Sequence, residues 1–222
     1  GGLNYTKAYD IKQTSDGGYI IVGETNVNGN TDVVLIKIDG FGLQQWINIF
    51  GGSGDQLGKS VQITSNGGFI IAGQNNSSGS IDGYLIKTDS LGTQQWNQTI
   101  GDIGTDLFES VQQTADGGFI IVGASNSNLN SFNSYLVKTN AVGNVLWERQ
   151  HYISGDDFGK DVKETSTGMF VIAGKTNMKA FFLETGPSGY SYGFNIFQWD
   201  SGAESIILTN DNSILICGSA HS

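Results

Sequence analysis

The chain has very little of several residue types, and each scarcity excludes a class of protein. Its only cysteine, Cys217, has no second thiol in the chain, which excludes an intrachain disulfide framework. We expect Cys217 to be a buried thiol or to pair with another molecule. Pro187 is the only proline, so the chain has no proline-rich linker and no collagen-like segment.

Basic residues are scarce as well. Eleven Lys and Arg against 21 Asp and Glu give a net charge of −10 and a pI near 4.4. Nucleic acids and anionic membrane surfaces bind through basic patches, so neither is expected as a partner. No apolar run approaches the roughly 18 residues of a membrane-spanning helix, so no membrane span is expected either.

Histidine is nearly absent, which bears on catalysis and metal binding. The two histidines are His151 and His221, and no His-x-His, Cys-x-x-Cys or His-Glu-x-x-His spacing marks a zinc or copper centre. A Ser–His–Asp triad assembles in space, and His151 would have to supply its base because His221 lies near the end of the sequence. We therefore predict no metal, no cofactor and no enzymatic activity.

Glycine is abundant, with 33 residues in the chain. Many of these glycines lie in a stretch of sequence that occurs three times. The stretch TSNGGFIIAGQNNSSGSIDGYLIKTDSLGTQQW at 64–96 aligns with 14–46 and with 114–147, and a decayed copy and a half copy follow. A period of roughly 50 residues predicts a solenoid, propeller or array. No copy is long enough to bury its own apolar face, so we predict a single domain over 1–222. Its repeat units are approximately 1–50, 51–100, 101–150, 151–196 and 197–222, the last one partial.

Each full unit contains four short apolar segments, which we name A to D in chain order. They are rich in Ile, Val, Phe, Tyr and Thr and are bounded by Gly, Asn, Asp and Ser, as strands are, while no 3.6-residue period predicts a helix. Segment B is apolar on both faces and segment D on alternate residues, as in a blade that is buried in the middle and wetter at one edge. The predicted fold is an all-β propeller of four-stranded antiparallel blades.

Counting segments gives four complete blades plus a half blade, which makes five blades if the ring closes, or a segment of a larger ring. The final unit has A and B but lacks C and D. We expect the missing strands to come from sequence upstream of Gly1 in a longer parent, or from a partner chain.

The connections between segments divide into two kinds. The A–B and C–D turns are short and repeated, whereas the B–C and D–A loops vary, and an up-and-down blade places the variable loops together on one face. Variable loops on a rigid frame are where binding is usually found. Calcium needs six to eight oxygens, and these loops supply too few at fixed spacing, so no metal site is predicted. The candidate binding residues on this face are Asp32, Asp55, Asn76, Asp82, Asp106, Asn128, Phe132, Tyr152, Asp156 and Asp157.

Two sets of recurring residues are predicted to be structural. The first set fills the space between blades, because its spacing follows the blade and not a loop. The second set stands two residues before Asp39, Asp89 and Asn140, on the same strand face, so each lysine is expected to pair with the following acid or amide. These residues are Trp46, Trp96 and Trp147 in the first set, and Lys37, Lys87 and Lys138 in the second.

The repeat resembles known propeller families. Its Asp-x-x-Gly-x-x-x-Trp element, Asp39-Gly42-Trp46, is distantly similar to the tryptophan-docking motif of quinoprotein-like (PQQ-type) propellers. The segment 116–123, DGGFIIVG, is similar to the repeats of predicted secreted or surface propeller proteins of microbes. The second resemblance covers nearly the whole chain and implies the propeller fold and an extracellular or cell-surface location.

These observations lead to a functional prediction. We predict a non-enzymatic binding or scaffold module that recognises a protein partner through the variable loop face. A lectin-like glycan-binding propeller is the first alternative, although the loops differ between units where a lectin would repeat its pocket. A quinoprotein-like or hydrolytic enzyme is the second.

Overall fold

A computed structural model describes residues 6–27, 29–127, 131–177, 179–209, 211 and 213–220. Every regular element in these ranges is a β-strand. The first two blades consist of β1 (Thr6–Gln13), β2 (Tyr19–Val27), β3 (Asn30–Ile38) and β4 (Gln44–Phe50), then β5 (Gln56–Ile63), β6 (Phe69–Asn75), β7 (Asp82–Thr88) and β8 (Gln94–Ile100). The next two consist of β9 (Asp106–Gln113), β10 (Phe119–Ser125), β11 (Asn133–Thr139) and β12 (Val145–His151), then β13 (Asp157–Glu164), β14 (Phe170–Thr176), β15 (Lys179–Thr185) and the first part of β16 (Ser191–Leu208). The last strand is β17 (Ile214–Ala220).

The strands of each blade pair in chain order. The first three sheets run β1-β2-β3-β4, β5-β6-β7-β8 and β9-β10-β11-β12, and the pairings are antiparallel. The predicted fold class, all-β with four-stranded antiparallel blades, is confirmed. The described part of the chain contains no helix that is long and apolar enough to cross a bilayer.

Backbone packing divides the chain into two compact units, Gly1–Phe108 and Glu109–Ser222. In the first unit, the apolar face of blade 1 packs on that of blade 2, and Ile20, Leu35 and Ile86 are completely buried between them. The indole of Trp46 lies against this cluster, with its ring 6.1 Å from that of Phe69 on blade 2.

The second unit repeats this packing. Ile120 and Leu136 of blade 3 pack against Phe181 of blade 4, and all three are completely buried. Trp147 lies beside them, with its ring 6.0 Å from that of Phe170. Because consecutive sheets bury their apolar faces against each other in this way, each blade depends on its neighbour for its core.

The fourth sheet differs from the other three. β16 pairs with β15 over residues 191–200 and continues without a break into residues 201–208, which pair with β17. The repeat spacing predicts a D–A loop around residue 199, and this prediction is wrong because this part of the chain is continuous strand. β17 ends the sheet among the described residues, and Cys217 on it is exposed rather than buried.

Two of the three strand-C lysines, Lys37 and Lys138, have a different partner from the predicted one. The ammonium of Lys37 donates to Asp16 at 2.9 Å, and that of Lys138 to Asp116 at 2.9 Å. Both acids lie in the A–B turn and not two residues further along strand C. Asp39, the predicted partner of Lys37, instead accepts the backbone N–H groups of its own C–D turn.

The second glycine of each Gly-Gly pair makes this contact possible. A Cβ atom at Gly118 would overlap the carbonyl oxygen of Thr139 and lie 2.6 Å from the Lys138 ammonium. In blade 4 the equivalent positions hold Met169 and Glu184, so the glycine and the lysine are lost together. In blades 1 and 3 the strand-C lysine therefore extends over the second glycine of the Gly-Gly pair to reach the acid of the A–B turn. We call this lysine–glycine–acid contact the lock.

Candidate binding face

Two kinds of connection lie at the same end of each sheet. They are the B–C loops, at 28–29, 76–81, 126–132 and 177–178, and the D–A loops, at 51–55, 101–105 and 152–156. We call this end of each sheet its loop face. Nine of the ten predicted binding residues lie in these loops or at the strand ends beside them. Asn128 falls outside the described residues.

Four of the predicted binding residues are buried. Asp157 is completely buried, and its carboxylate accepts the N–H of Ile153 at 2.6 Å and that of Ser154 at 3.1 Å. Asp106, at the same position in the preceding blade, is 1% exposed and accepts the N–H of Asp102 at 3.0 Å. Both carboxylates fold the D–A loop before them, because its N–H groups have no strand partner.

The other two buried acids lie near the start of strand C, beside the B–C loops. Asp82 is 7% exposed and accepts the hydroxyls of Ser78 at 2.8 Å and Ser80 at 3.1 Å. Asp32 is 8% exposed. Burial raises the pKa of Asp32 above its usual range, a backbone hydrogen bond from Gly52 opposes the rise, and the charge of Asp55 adds to it. These four carboxylates support the loops from inside.

A recurring asparagine, which the sequence analysis did not identify as a group, ties the two kinds of loop together. The Asn76 side chain accepts the N–H of Asp55 at 2.6 Å, and the Asn177 amide donates to the carbonyl of Ser154. Asparagine stands three residues after the strand-B glycine in all four complete units, at 26, 76, 126 and 177. That repetition is the signal by which the sequence could have revealed it.

The remaining predicted residues reach the surface to different extents. Asp55 and Asp156 are exposed, and each accepts one backbone N–H, from Thr31 at 2.8 Å and from Phe132 at 2.9 Å. Tyr152 is 67% exposed. These side chains, with the half-buried Asn76 and Phe132, are the predicted residues that a partner could touch.

The loop face of the fourth blade contains a pocket of about 300 Å³. Its lining consists of Asp156, Phe158, Lys175 and Asn177. Phe158 and Lys175 are directly opposite each other on β13 and β14, and the ammonium lies 5.5 Å from the ring centre. The ring of Phe132 lies 5.1 Å from that of Phe158, which extends the apolar floor.

The wall of the pocket includes a residue, Asn177, with an unusual backbone conformation. Asn177 has a φ of 43°, the only positive φ of a non-glycine residue in the described ranges. Asparagine tolerates this left-handed region better than most residues do. Opposite it, Gly155 has a φ of 87°, and a Cβ atom there would overlap the Asn177 amide. The two loops are therefore interlocked at the pocket.

The charges of the pocket differ in sign. Lys175 forms no ion pair with any residue of the described part of the chain, and Asp156 is exposed. The site thus offers a cation, an anion, an amide and an aromatic floor within one small concavity. Of its lining residues only Asp156 was among the predicted binding residues.

His151, the candidate catalytic base, lies at the end of β12. Burial, and then the charge of Arg149, lower its pKa below the usual range against a backbone hydrogen bond at Gly189. Ser134 is its cross-strand neighbour. Neither Ser134 Oγ nor His151 Nε2 has a hydrogen-bond partner among the described residues. The hydrogen bond that would join a nucleophile to its base is not formed between these two side chains.

Metal ligands are not gathered on any loop face in the described part of the chain. Within the described ranges, no group of three or more His, Cys, Asp or Glu side chains is placed to hold a metal ion.

Comparison with known proteins identifies the fold alone. No protein-family model matches the chain, and no curated protein matches it. A protein of unknown function from Bacteroides caccae superposes with a TM-score of 0.61 at 13% identity, over 90% of this chain and 64% of that one. The structure of YCF48 bound to D1 peptide superposes with a TM-score of 0.50 at 13% identity, over 95% of this chain and 60% of that one. Both are β-propeller-like proteins.

The chain has a β-propeller fold. It spans less than two thirds of the length of either of these structures. A β-1,2-mannobiose phosphorylase from Listeria innocua reaches a TM-score of only 0.40 at 12% identity, over 87% of this chain and 57% of that one, which is too low to support any argument.

Proposed function

We propose that this propeller is a non-enzymatic binding module that recognises a protein partner through its loop face, with the pocket around Phe158 and Lys175 as the centre of the site. A peptide segment that carries an apolar side chain beside an acidic residue has the matching chemistry. The apolar group would lie on the Phe158 ring, and the carboxylate would pair with Lys175.

The observation that carries this proposal is the contrast between the loop supports and two positions of the pocket. The buried supports recur from blade to blade, as Asp106 and Asp157 do. The half-buried pocket positions 158 and 175 do not recur. Lys175 and Phe158 correspond to Gln74 and Leu57 in blade 2. A frame that repeats while its surface changes is expected of a scaffold with one specific site.

Two further observations support the proposal. One propeller of the same fold, YCF48, has been solved with a peptide, which gives a precedent for the fold and no residue of the site. Ser134 Oγ and His151 Nε2 form no hydrogen bond with each other, so they give no support to a hydrolytic alternative. The resemblance to secreted and surface propellers supports the further proposal that the module is extracellular or on the cell surface, and surface biotinylation of the source cells would test that proposal.

The experiment is selection of random 12-residue peptides on the purified protein, followed by binding measurements on the enriched sequences. We expect enrichment of peptides with an aromatic or aliphatic residue next to Asp or Glu. Lys175→Ala should weaken their binding about tenfold. The matched control is Lys160→Ala, because Lys160 is in the same unit but pairs with Glu109 at 3.4 Å outside the pocket.

Three results would overturn the proposal. They are selection without enrichment, equal binding by the Lys175→Ala protein, and binding on a glycan array by a protein that binds no peptide. The last result would favour the lectin-like alternative instead.

A further inference from the structure

The C–D turn and outer strand of blade 4 carry aromatic side chains that the other blades lack. Tyr190 is 64% exposed, Tyr192 71% and Phe194 48%. The strand pairings place Phe194 level with Asn97 of blade 2, and none of the other complete blades has an aromatic residue at any of these three positions. Single exposed apolar side chains are ordinary, but the blade does not require three exposed rings in one short segment. They are a local departure from the repeat.

An arginine of blade 3 lies against this segment. The guanidinium carbon of Arg149, on β12, is 4.4 Å from the centre of the Tyr190 ring and 5.8 Å from that of Trp147. A Cβ atom at Gly189 would lie 2.5 Å from the Trp147 ring and 3.0 Å from Arg149 Cγ, so the C–D turn of blade 4 packs directly on both side chains. The ring faces attract the cation. Arg149 is therefore held in place beside the exposed rings.

Phe194 is on the same side of blade 4. It pairs with Leu183, which belongs to the core that blade 4 shares with blade 3. Residues directly opposite each other in an antiparallel pair share a face of the sheet, so Phe194 also turns toward blade 3. Ile196, two residues further along β16, packs against the same core. The two outer strands thus contribute to one surface, which we call the aromatic surface and define by Trp147, Arg149, Tyr190 and Phe194.

The cation of the aromatic surface has no acidic partner. Arg149 forms no ion pair with a described residue, and its Nη1 donates to the carbonyl of Glu148 at 2.6 Å. The Glu148 carboxylate instead accepts the hydroxyl of Tyr135. Arg149 Nε is buried and has no hydrogen-bond partner among the described residues.

Blade 1 shows the same position without a charge. Asn48 occupies the place of Arg149, and its amide donates to the carbonyl of Gly92 at 3.0 Å. The contact between consecutive blades is therefore made by a neutral side chain there. A cation without an acid, in a chain of net charge −10, indicates an anionic ligand.

A carboxylate attached to a ring with an apolar face has the complementary chemistry. The C–H groups of a pyranose form a flat apolar face that stacks on an aromatic ring, while its hydroxyls stay in water, and this suits rings as exposed as Tyr190 and Phe194. A uronic acid has its carboxylate on the same sugar, so one sugar can stack on Tyr190 and pair with Arg149 4.4 Å away. An acidic peptide would need two residues for these contacts and would have to exclude water from both exposed rings.

We propose that the aromatic surface binds a polysaccharide that contains uronic acid, with one sugar stacked on Tyr190, a neighbouring sugar on Phe194 and a carboxylate paired with Arg149. The surface lies on the outer strands of blades 3 and 4 and shares no residue with the pocket on the loop face. It does not depend on the proposed function.

The probes are oligogalacturonate and oligomannuronate, two uronate chains of different stereochemistry, and the measurement is isothermal titration calorimetry with a chelator present. We expect at least one of the two to bind. The methyl ester of that chain keeps the sugar and removes the charge, so it should bind about tenfold more weakly. Added salt should weaken the acid and leave the ester unchanged.

The repeat supplies replacements that it already uses at the same positions. Arg149→Asn introduces the residue of blade 1, and Tyr190→Thr that of blade 2, and each should weaken uronate binding about tenfold. Arg149→Lys keeps the charge without the planar fork and should bind more weakly than wild type. The control is Leu43→Thr, since Leu43 has the position of Tyr190 in blade 1 and is 67% exposed. Thermal melting of each variant separates a loss of binding from a loss of fold.

Several results would overturn the proposal. They are no binding of either uronate chain, equal binding of the acid and its ester, and equal binding by wild type and Arg149→Asn. Loss of uronate binding in Lys175→Ala, with binding kept in Arg149→Asn, would place the glycan in the loop-face pocket instead. An acidic peptide that binds wild type and not Arg149→Asn, with neither uronate bound, would show that the aromatic surface recognises a protein.

Discussion

The ammonium of Lys138 lies 2.9 Å from the carboxylate of Asp116, and it reaches this acid by passing over Gly118. The same ammonium donates to the carbonyl of Thr139 at 2.9 Å. One buried side chain on strand C thus holds the A–B turn and the start of the C–D turn together. The lock has a structural purpose, since it fixes the end of the blade opposite the loop face.

The two glycines of the A–B turn are needed for different reasons, Gly118 for space and Gly117 for its positive φ. An alanine variant at each position separates the two effects. Gly118→Ala places a Cβ against the Thr139 carbonyl oxygen, which belongs to the backbone and cannot move freely. We expect a loss of about 1–3 kcal/mol in the free energy of unfolding. Gly117→Ala meets nothing within 4 Å but requires a φ of 82°, so only backbone strain of about 1–2 kcal/mol is expected.

Urea unfolding of the two proteins measures the difference. If Gly118→Ala leaves the urea midpoint unchanged, the blade relaxes around the added Cβ atom. Steric overlap with the Thr139 carbonyl oxygen would then not explain why glycine occupies position 118.

The acid of the lock should make stability depend on pH at the acidic end. Burial alone would raise the pKa of Asp116, but hydrogen bonds from the Thr114 hydroxyl, Lys138 and the Gly118 N–H bring it to about 2. The folded-state pKa lies below the unfolded value of about 3.9, so the stabilisation is complete above roughly pH 4 and is lost as the pH falls through about 2. We expect wild type and Asp116→Asn to converge in stability on acidification.

The measurement is the free energy of unfolding of both proteins between about pH 2 and 6. Asparagine is a suitable replacement because blade 2 has Asn66 at this position, where it accepts the same Thr64 hydroxyl and Gly68 N–H. A constant difference between the two proteins across this range would contradict the assignment.

The indoles between blades provide a third test. Trp46 lies against the core of the first unit and 6.1 Å from Phe69, so Trp46→Ala leaves a cavity between two sheets. We expect a loss of about 3 kcal/mol. Tyr192→Ala is the control, because Tyr192 is 71% exposed, and it should change stability by less than about 0.5 kcal/mol. Equal midpoints for the two variants in a denaturant titration would rule out a packing role for Trp46.

The architecture followed from the sequence because its signals repeat. The period of roughly 50 residues, the Gly-Gly turns and the short apolar runs each gave the same four-stranded unit. The partners predicted for Lys37 and Lys138 were wrong because residues two apart on a strand were considered, while the A–B hairpin of the neighbouring strands lies closer in space. Strand-face periodicity contains no information about such cross-strand neighbours.

The binding face was harder to predict for a physical reason. Asp106 and Asp157 were placed in loops, where acids are normally solvated, but loop N–H groups need acceptors and these carboxylates turn inward to supply them. Phe158 and Lys175 form a candidate site because blade 4 has these residues at two paired positions where blade 2 has Leu57 and Gln74. Departures from a repeat therefore deserve as much weight as the repeat when a site is sought.

The interlock of Asn177 with Gly155 gives the last prediction, which concerns the pocket itself. Asn177→Ala would keep a φ of 43° without the amide that bonds the Ser154 carbonyl, so both strain and a lost hydrogen bond act, and we expect a cost of about 1–2 kcal/mol. Asn177→Gly loses the hydrogen bond but removes the strain, so its cost should be less than about 1 kcal/mol. Both variants should increase amide hydrogen exchange in residues 152–156, because the side chain that holds this loop is gone. If exchange in 152–156 is unchanged in both, other hydrogen bonds such as those of Asp157 and Thr176 hold the loop, and the pocket wall does not depend on Asn177.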